Sequence, residues 1–210
     1  MDLDEGLREQ AAADGAPLDR IARNKLSAFL RLLGKWNRTY NLTAIREPER
    51  MVTHHVLDAL SVLPHLPARA DVRVLDVGSG PGVPGVPLAL ARPGWQFVLI
   101  DSSRKKTAFL QQAVIELGLA NVEVVHERCE DYAPSVRFEV VISRAFSDLA
   151  EFASAAARHL ASDGRLYAMK GELPADEIAR LSAEYRVVAT PALAVPGVEA
   201  ARHLVIMALA

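Results

Sequence analysis

Hydrophobic residues recur at helical spacing near the start of the chain. Between residues 18 and 36 the apolar side chains follow a period of about 3.6 residues, and Asn37 and Asn41 supply helix stop signals. A second helix is predicted to begin at Pro48 and to carry apolar residues on one side. These patterns predict a helical N-terminal extension that occupies residues 1–66 and packs on the rest of the chain.

After residue 67 the pattern changes to short apolar runs that alternate with helical segments. Strands are predicted at 72–77, 97–100, 122–125, 138–143, 165–170 and 203–209, with a weaker one at 185–189. Helices are predicted at 84–91, 103–117, 147–160 and 174–183. Because apolar strands separated by helices form parallel sheets covered on both faces, residues 67–210 are predicted to be a doubly wound α/β domain of about seven strands.

Charge is distributed unevenly over the N-terminal part of the chain. The whole sequence has 24 bases and 26 acids, a net charge of −2, which argues against a general nucleic-acid binder. Residues 1–19 contain six acids and one base, whereas residues 20–50 contain eight bases and two acids. This asymmetry is expected of a surface that faces a polyanion, and also of a solvated helix face.

The single cysteine and the lack of long apolar runs restrict the class of protein. Cys129 cannot form an internal disulfide, which fits a reducing compartment. No stretch approaches the ~20 apolar residues of a membrane span, and the acidic first residues are unlike a secretion signal. We expect a cytoplasmic protein that is monomeric, because the pattern shows no additional apolar surface.

A glycine-rich turn, GSGPG at residues 78–82, follows the first predicted strand. In doubly wound sheets ligands bind at the carboxyl ends of the strands, and glycine lets a ligand approach the backbone closely. Gly80, Gly82 and Gly85 also satisfy the G-x-G-x-x-G pattern of dinucleotide-binding proteins. The turn therefore predicts a nucleoside cofactor, either a dinucleotide or S-adenosylmethionine (SAM).

Two acidic residues at strand ends bear on the choice between these cofactors. Asp76 ends the first strand, where a carboxylate would repel a pyrophosphate and attract the ammonium group of SAM. Asp101 ends the second strand, where an acid accepts hydrogen bonds from the ribose hydroxyls of either cofactor. We favour SAM on this ground. The structural alternatives are that Asp76 is a helix or turn cap and that Asp101 pairs with Arg104 or Lys105.

The segment after the fourth strand lacks the residues that activate difficult methyl acceptors. It reads SRAF at 143–146, without the Asn-Pro-Pro-Tyr-like turn typical of exocyclic-amine methyltransferases. Guanine N7, which has a free lone pair, would need no such device. Arg144 suits guanine O6 or a phosphate, and its alternative role is a surface salt bridge. Cys129, after the third strand, is either a small residue beside the cofactor base or an inert buried thiol.

Two histidines and two acids invite comparison with metal sites. Neither the adjacent pair His54 and His55 nor the carboxylates Asp58 and Asp131 match a zinc-ligand spacing, so no metal is expected. We expect instead that Asp58 and one of the histidines tie the second helix to the sheet or close over the methyl acceptor.

Several motifs, taken in chain order, resemble one protein family. They are WN at 36–37, NLT at 41–43, a histidine followed by Asp58, DVGSGPGVPGVPLAL at 76–90, LIDSSRKKTAFL at 99–110, CED at 129–131, SRAF at 143–146 and MKG at 169–171. The family is the bacterial small-subunit ribosomal RNA methyltransferases that methylate guanine N7, also called glucose-inhibited division protein B. The resemblance, which runs from Phe29 to the C-terminus, implies a class I methyltransferase fold, SAM as methyl donor, and 16S rRNA or a small-subunit assembly particle as substrate.

The resemblance also implies roles for individual residues. The positions that match the family's cofactor contacts are Gly78, Val83, Cys129, Glu130 and Arg144. The predicted cofactor set is completed by residues in the same motifs, namely Asp76, Ser79, Gly80, Asp101 and Ser102. The predicted catalytic residue is Arg144, and the predicted RNA contacts are Arg38, Lys105, Lys106 and Lys170. The sequence departs from the usual family pattern at Pro81, Val83 and Cys129, which leaves the packing of the adenosine open.

Two other functions are compatible with the residues alone. One is a SAM-dependent enzyme that acts on a small molecule or a protein. The other is a nucleotide-binding regulator without catalytic activity. Salt dependence would separate the first from an RNA methyltransferase, because binding through phosphates weakens as salt rises.

Overall fold

Seven strands form one sheet in the computed structural model, which describes residues 1–14, 18–146 and 148–210. The strands are β1 (Arg73–Val77), β2 (Gln96–Ile100), β3 (Val122–Val125), β4 (Phe138–Ser143), β5 (Leu160–Lys170), β6 (Tyr185–Ala189) and β7 (His203–Leu209). Their order across the sheet is β3-β2-β1-β4-β5-β7-β6. Each predicted strand is therefore confirmed, and the chain order reverses its direction beside β1.

Helices cover the sheet and form most of the N-terminal region. The α-helices are α1 (Leu3–Asp14), α2 (Arg20–Tyr40), α3 (Pro48–Met51), α4 (Asp58–Leu60), α5 (Gly85–Ala91), α6 (Arg104–Leu117), α7 (Leu149–Ala156) and α8 (Ala175–Ala179). A π-helical segment at Val52–Leu57 joins α3 to α4, and short 3-10 turns occupy Leu63–His65 and Ala157–His159. None of the helices in the described residues is long and apolar enough to cross a membrane.

Strand β7 corrects the prediction of a parallel sheet. The pairs β1/β2, β1/β4, β2/β3 and β4/β5 are parallel, whereas β7 runs antiparallel to both β5 and β6. Parallel neighbours need a crossover connection, usually a helix. The described segment 190–202, which leads into β7, contains no helix, so the chain turns back and pairs in the opposite direction.

Two predicted helices differ from the structure at their ends. The helix predicted at 147–160 is α7, which ends at Ala156 because Leu160 already begins β5; residue 147 lies outside the described residues. The helix predicted at 174–183 is the shorter α8, which ends before Arg180. Helix α1 was not predicted, since the acidic start of the chain has a weak hydrophobic pattern.

Helix α2 packs on α5 and α6, the helices that cover one face of the sheet. Asp19 caps its first turn by accepting a hydrogen bond from the amide of Ala22 at 2.7 Å, and Asn41 ends it in the left-handed conformation. The buried Phe29 ring lies 6.2 Å from that of Phe109 on α6, measured between centroids. Phe29 belongs to the same cluster of buried residues as Val74 of β1. Burying a side chain of this size stabilises the fold by roughly 1.5–3 kcal/mol, so α2 is held mainly by its apolar face.

Candidate cofactor crevice

A crevice opens at the carboxyl ends of β1, β2 and β4. Its volume is about 370 Å³, within the range of small-molecule sites. The residues that line it are Val77, Gly78, Ile100, Asp101, Ser102, Lys106, Glu127, Arg128, Cys129, Glu130, Ala145, Phe146 and Glu151. Strand β1 lies between β2 and β4, so the crevice occupies the switch point where doubly wound sheets bind ligands.

The glycine loop after β1 forms one wall of this crevice. Gly78 has a φ of +69°, a conformation that residues with a side chain rarely adopt. A Cβ atom added at Gly78 would lie 2.7 Å from the Cβ of Ala145, on the segment that follows β4. Glycine is therefore required here for two reasons: the backbone conformation and the close approach of the opposite wall.

Asp101 connects the end of β2 to the glycine loop. Its Oδ2 accepts a hydrogen bond from the amide of Gly80 at 2.9 Å, and its Oδ1 accepts one from the amide of Ser103 at 2.8 Å. The Nζ of Lys106 lies 3.5 Å from Oδ2, so Lys106 is its ion-pair partner in place of the expected Arg104 or Lys105. A carboxylate has about four acceptor positions, which leaves capacity for ribose hydroxyls.

Asp76 is a cap of α5 and does not line the crevice. Its carboxylate is fully buried, and Oδ2 accepts a hydrogen bond from the amide of Gly85, the first residue of α5, at 2.9 Å. Burial raises the pKa of Asp76 to about 7, against the opposing effect of hydrogen bonds from Gly85 and Ser79. The contact with the first amide of α5 matches the expected alternative of a helix cap, and the contact of Asp76 with the ammonium group of SAM stays a prediction.

Other carboxylates supply the negative charge expected of Asp76. Those among the described lining residues are Asp101, Glu127, Glu130 and Glu151, and the bases are Lys106 and Arg128. Four acids against two bases make the crevice favourable for a ligand that carries positive charge. The electrostatic preference for SAM over a dinucleotide is retained, but it rests on different residues.

Three predicted cofactor residues lie behind the crevice wall. Ser79 is buried, and its hydroxyl donates to the carbonyl of Asp76 at 2.8 Å. Gly80 is buried against Asp101, and Val83 is a member of the main hydrophobic cluster. The loop turns inward after Gly78, so these residues shape the wall and do not face its opening.

Cys129 lines the crevice as a buried thiol. Its Sγ donates a long hydrogen bond to the carbonyl of Ala155 at 3.5 Å. Burial, with a smaller effect of Glu130, raises the pKa of Cys129 to about 12. The side chain is therefore an unreactive buried thiol, and its place beside the cofactor base stays a prediction.

Arg144 is held by the N-terminal region. Its Nη1 donates to the carbonyl of His54 at 2.7 Å and lies 3.0 Å from Oδ2 of the buried Asp58. Asp58 also accepts a hydrogen bond from Nε of Arg202 at 3.1 Å. The expectation that Asp58 ties the second helix to the sheet is confirmed.

The alternative role expected of Arg144, a salt bridge, is present in the structure. Its partner Asp58 is buried, so the salt bridge does not lie on the surface. Contacts of Arg144 with cofactor or guanine stay predictions.

Two of the predicted RNA contacts are occupied within the protein. The Nζ of Lys170 lies 2.8 Å from Oε2 of Glu177 and its side chain is only 10% exposed, because α8 returns over the end of β5. Lys106 lines the crevice beside Asp101. Lys170 is therefore engaged within the protein and Lys106 faces the crevice, and the RNA contacts of both stay predictions. Lys105 is exposed and donates to the carbonyl of Tyr40 at 3.0 Å, and Arg38 is exposed on α2.

Sequence reasoning missed part of the crevice lining. Phe146 contributes an aromatic ring, which packs on Phe152 with 5.3 Å between centroids. Glu127 and Arg128 precede Cys129 directly, so their place after β3 was an available signal. Glu151 lies in the first turn of α7, and only the return of α7 over the sheet brings it to the site.

The described residues contain no group of three or more histidines, cysteines and acids that could hold a metal ion. His54 and His55 are engaged with Thr53 and Thr43 through ring nitrogens, at 2.6 and 3.2 Å. Burial and the nearby Arg144 lower the pKa of His55 to about 4, so the imidazole is neutral at pH 7.

Comparison with known proteins places the chain in a family. Residues 22–205 match the family described as rRNA small subunit methyltransferase G. A relative from Chromobacterium violaceum, named ribosomal RNA small subunit methyltransferase G, is 53% identical over 184 residues, which are 88% of this chain and 87% of the relative. A relative of the same name from Laribacter hongkongensis is 49% identical over 209 residues, covering both chains completely.

Solved structures share the fold at low sequence identity. A SAM-dependent methyltransferase from Thiobacillus denitrificans, in complex with S-adenosyl-L-homocysteine, has a TM-score of 0.53 and 17% identity over 86% of this chain and 97% of that one. TrmN from Thermus thermophilus has a TM-score of 0.57 and 18% identity over 72% and 48% of the two chains. The fold is that of the class I SAM-dependent methyltransferases. The sequence matches go further, and they show that this chain belongs to the rRNA small subunit methyltransferase G family.

Proposed function

We propose that this protein transfers a methyl group from SAM to N7 of a guanine in 16S ribosomal RNA. The observation that carries the proposal is the negatively charged crevice at the switch point of the sheet. The relatives of this chain are named small-subunit rRNA methyltransferases, which agrees with it. SAM, when bound, supplies a methyl group on a positively charged sulfur. Among ligands of this fold, that charge suits a crevice with four acids and two bases better than a pyrophosphate does.

The crevice residues fit the parts of SAM. Asp101 has acceptor capacity for ribose hydroxyls, and Gly78 exposes backbone without a side chain. The carboxylates of Glu127 and Glu130 provide negative charge for the ammonium and sulfonium groups. Cys129 is a small buried wall residue that suits the adenine ring.

The acceptor chemistry follows from what the site holds. A thiol with a pKa of about 12 cannot serve as the nucleophile that carbon methylation of cytosine requires. Guanine N7 already has an in-plane lone pair, so the protein needs only to bring it into line with the methyl group and to exclude water. Positioning and electrostatics are then the whole contribution of the chain.

The exposed face of α2 is the proposed RNA surface. Arg31, Lys35 and Arg38 follow one another at spacings of four and three residues and are all exposed. Together with Arg46 they border a second cavity, of about 690 Å³, between α1, α2 and α3. Clustered bases of this kind bind phosphates, although the whole chain has a net charge of −2. The N-terminal extension, residues 1–66, is therefore proposed to face the RNA.

A methylation assay tests the proposal. The protein is incubated with radiolabelled SAM and 16S rRNA that lacks the modification, either free or in small-subunit particles, and the product is mapped. We expect label on N7 of one guanine and a rate that falls as salt rises. Label on an exocyclic nitrogen or a carbon would contradict the acceptor assignment. A rate that salt does not affect would favour a small-molecule or protein substrate.

Calorimetric titration separates the remaining alternatives. SAM and NADH are titrated into the same preparation, and we expect heat of binding from SAM alone. Binding of NADH would restore the dinucleotide interpretation, and SAM binding without a methylated product would favour a regulator. We further propose that the protein acts as a monomer in the cytoplasm, where its RNA substrate is found.

A further inference from the structure

Asp58 is a buried carboxylate shared by two arginines from different parts of the sheet. The residue is 3% exposed; its Oδ2 lies 3.0 Å from Nη1 of Arg144, which follows β4, and its Oδ1 lies 3.1 Å from Nε of Arg202, which precedes β7. We propose that Asp58 is a positioning residue that fixes the segment after β4 and thereby one wall of the cofactor crevice. The inference rests on the proposed function.

The π-helical segment places a second hydrogen-bond acceptor, the carbonyl of His54, against the guanidinium of Arg144. In an α-helix the amide of Asp58 would bond to the carbonyl of His54, four residues back. Here that amide bonds to the carbonyl of Thr53, five residues back. The carbonyl of His54 accepts from Nη1 of Arg144 at 2.7 Å, and the ring of His55 lies 3.4 Å from Nη2. π-Helical turns recur at functional sites, where they redirect groups in this way.

The anchored arginine immediately precedes the crevice wall. Ala145 and Phe146 line the crevice, and Ala145 faces Gly78 at a separation that leaves no room for a Cβ there. Ser143 is fixed on the other side of Arg144, since its hydroxyl donates to the carbonyl of Val77 at 2.7 Å. Without the charge of Asp58, Arg144 would lose its ionic partner, and the start of the wall would depend on Ser143 and on the neutral contacts of Arg144 with His54 and His55.

The chain contains a matched control at the opposite end of β4. Glu139 is 9% exposed and, like Asp58, is shared by two arginines: Oε1 lies 2.7 Å from Nη2 of Arg73 and 3.5 Å from Nη2 of Arg69. Glu139 lies at the amino end of β4, away from the crevice. Neutralising it removes the charge of a buried carboxylate that two arginines share, without touching the segment after Ser143. Its arginines are 43% and 41% exposed, against 26% and 22% for those of Asp58.

The experiment compares Asp58→Asn, Asp58→Glu and Glu139→Gln in the full chain. Titration with S-adenosyl-L-homocysteine gives Kd, methylation of small-subunit RNA gives kcat and KM for SAM, and thermal unfolding gives Tm. For Asp58→Asn we expect Kd and KM to rise at least about tenfold, since losing one partner of a buried charge pair is costly. Asp58→Glu, which restores the charge, should give a Kd between those of the wild type and Asp58→Asn.

Glu139→Gln should lower Tm, by less than Asp58→Asn because its arginines are more exposed, and should leave Kd and KM within about twofold of the wild type. The proposal is overturned if Asp58→Asn binds S-adenosyl-L-homocysteine as the wild type does, or if Glu139→Gln loses as much affinity. Should Asp58→Asn not fold, Asp58→Glu serves as the test instead: its side chain is one methylene longer, so the carboxylate cannot occupy the same position, and a wild-type Kd would show that this position does not fix the crevice wall. Because the Kd readout needs no RNA, a wild-type protein that fails to methylate rRNA would refute the proposed function and leave this inference standing.

Discussion

The carboxylate of Asp101 accepts a hydrogen bond from the amide of Gly80 at 2.9 Å, which joins the end of β2 to the loop after β1. The same carboxylate accepts from the amide of Ser103 and pairs with Lys106, so it also fixes the start of α6. One buried acid therefore sets the shape of two crevice walls while it contributes negative charge to the site.

Replacing Asp101 with asparagine should weaken cofactor binding. The variant loses the charge that pairs with Lys106, and an amide has one acceptor oxygen where the carboxylate has two. We expect the Kd for SAM, measured by calorimetry, to rise at least about tenfold, which corresponds to about 1.4 kcal/mol. Asp163→Asn, at an exposed aspartate that pairs with Arg69, is the control and should bind normally. Normal binding by Asp101→Asn would contradict the assignment of Asp101 to the cofactor site.

Gly78→Ala should impair both stability and cofactor binding. The left-handed φ of +69° is unfavourable for alanine, and the new Cβ would collide with Ala145. Gly118→Ala is a matched control, because Gly118 has a φ of +57° at the end of α6 and no atom within 4 Å of an added Cβ. We expect both variants to lose about 1 kcal/mol from backbone strain in denaturant titrations. Only Gly78→Ala should also lose affinity for SAM. If both variants bind SAM equally well, the close approach of Gly78 to Ala145 does not matter for cofactor binding.

Cys129→Ala should remain an active enzyme. The thiol is buried with a pKa of about 12, so it is protonated at neutral pH and is not a nucleophile. We expect a kcat within about threefold of the wild type, with the remaining change due to the smaller wall residue. The native protein should also resist alkylation by iodoacetamide at pH 7.5 and react once unfolded in urea. Loss of all methyl transfer in Cys129→Ala would instead indicate covalent catalysis.

His55 should make the protein less stable as the pH falls. Its pKa is about 4 in the folded state, where burial and Arg144 disfavour the charged ring, and 6.5 in the unfolded state. Between these values the unfolded state binds more protons, so the free energy of unfolding decreases as the pH falls from about 6.5 to about 4, by up to about 3 kcal/mol.

The measurement is the free energy of unfolding in urea at pH 7.5 and pH 5, for the wild type and His55→Gln. The difference between the two proteins isolates His55 from Asp76, whose raised pKa acts in the opposite direction over the same range. The wild type should lose more stability than His55→Gln on acidification. If the wild type and His55→Gln lose equal amounts of stability, the pKa of His55 is not lowered by folding.

Arg38→Glu should weaken RNA binding and reduce its dependence on salt. Arg38 is exposed on α2 beside Arg31 and Lys35, so the substitution reverses one charge within the proposed RNA surface. We expect a higher KM for RNA and an unchanged Kd for SAM. The slope of the logarithm of the RNA association constant against the logarithm of the salt concentration should become shallower by about one, as expected for the loss of one phosphate contact. Arg186→Glu, on the edge strand β6, reverses another exposed charge and should leave all three quantities unchanged.

The strands and the place of the crevice could be predicted because they depend on local patterns. Each buried strand is a short apolar run, and the glycine loop and Asp101 both follow such runs directly. Parallel strands bring their carboxyl ends to one edge of the sheet, so these two features had to meet. The strand pattern also indicated Arg144 at that edge, although not its partner.

What the sequence could not supply is the direction of side chains and the partners that come from distant segments. The sequence placed Asp76 at a strand end, but the face of the sheet toward which it points depends on α5 packing above it. Lys170 is at the end of β5 as expected, yet its partner Glu177 arrives only when α8 folds back. Such contacts are set by the tertiary path of the chain, which a hydrophobic pattern does not contain.

The packing of Trp36 and Phe29 on Phe109 has a consequence for how this protein can be divided. A fragment that starts at residue 67 would expose the apolar side of α6 to water, and contiguous exposed patches of this kind promote aggregation. The helices before the sheet thus cover the outer apolar side of α6 and share its hydrophobic core, and we expect a fragment that lacks them to aggregate.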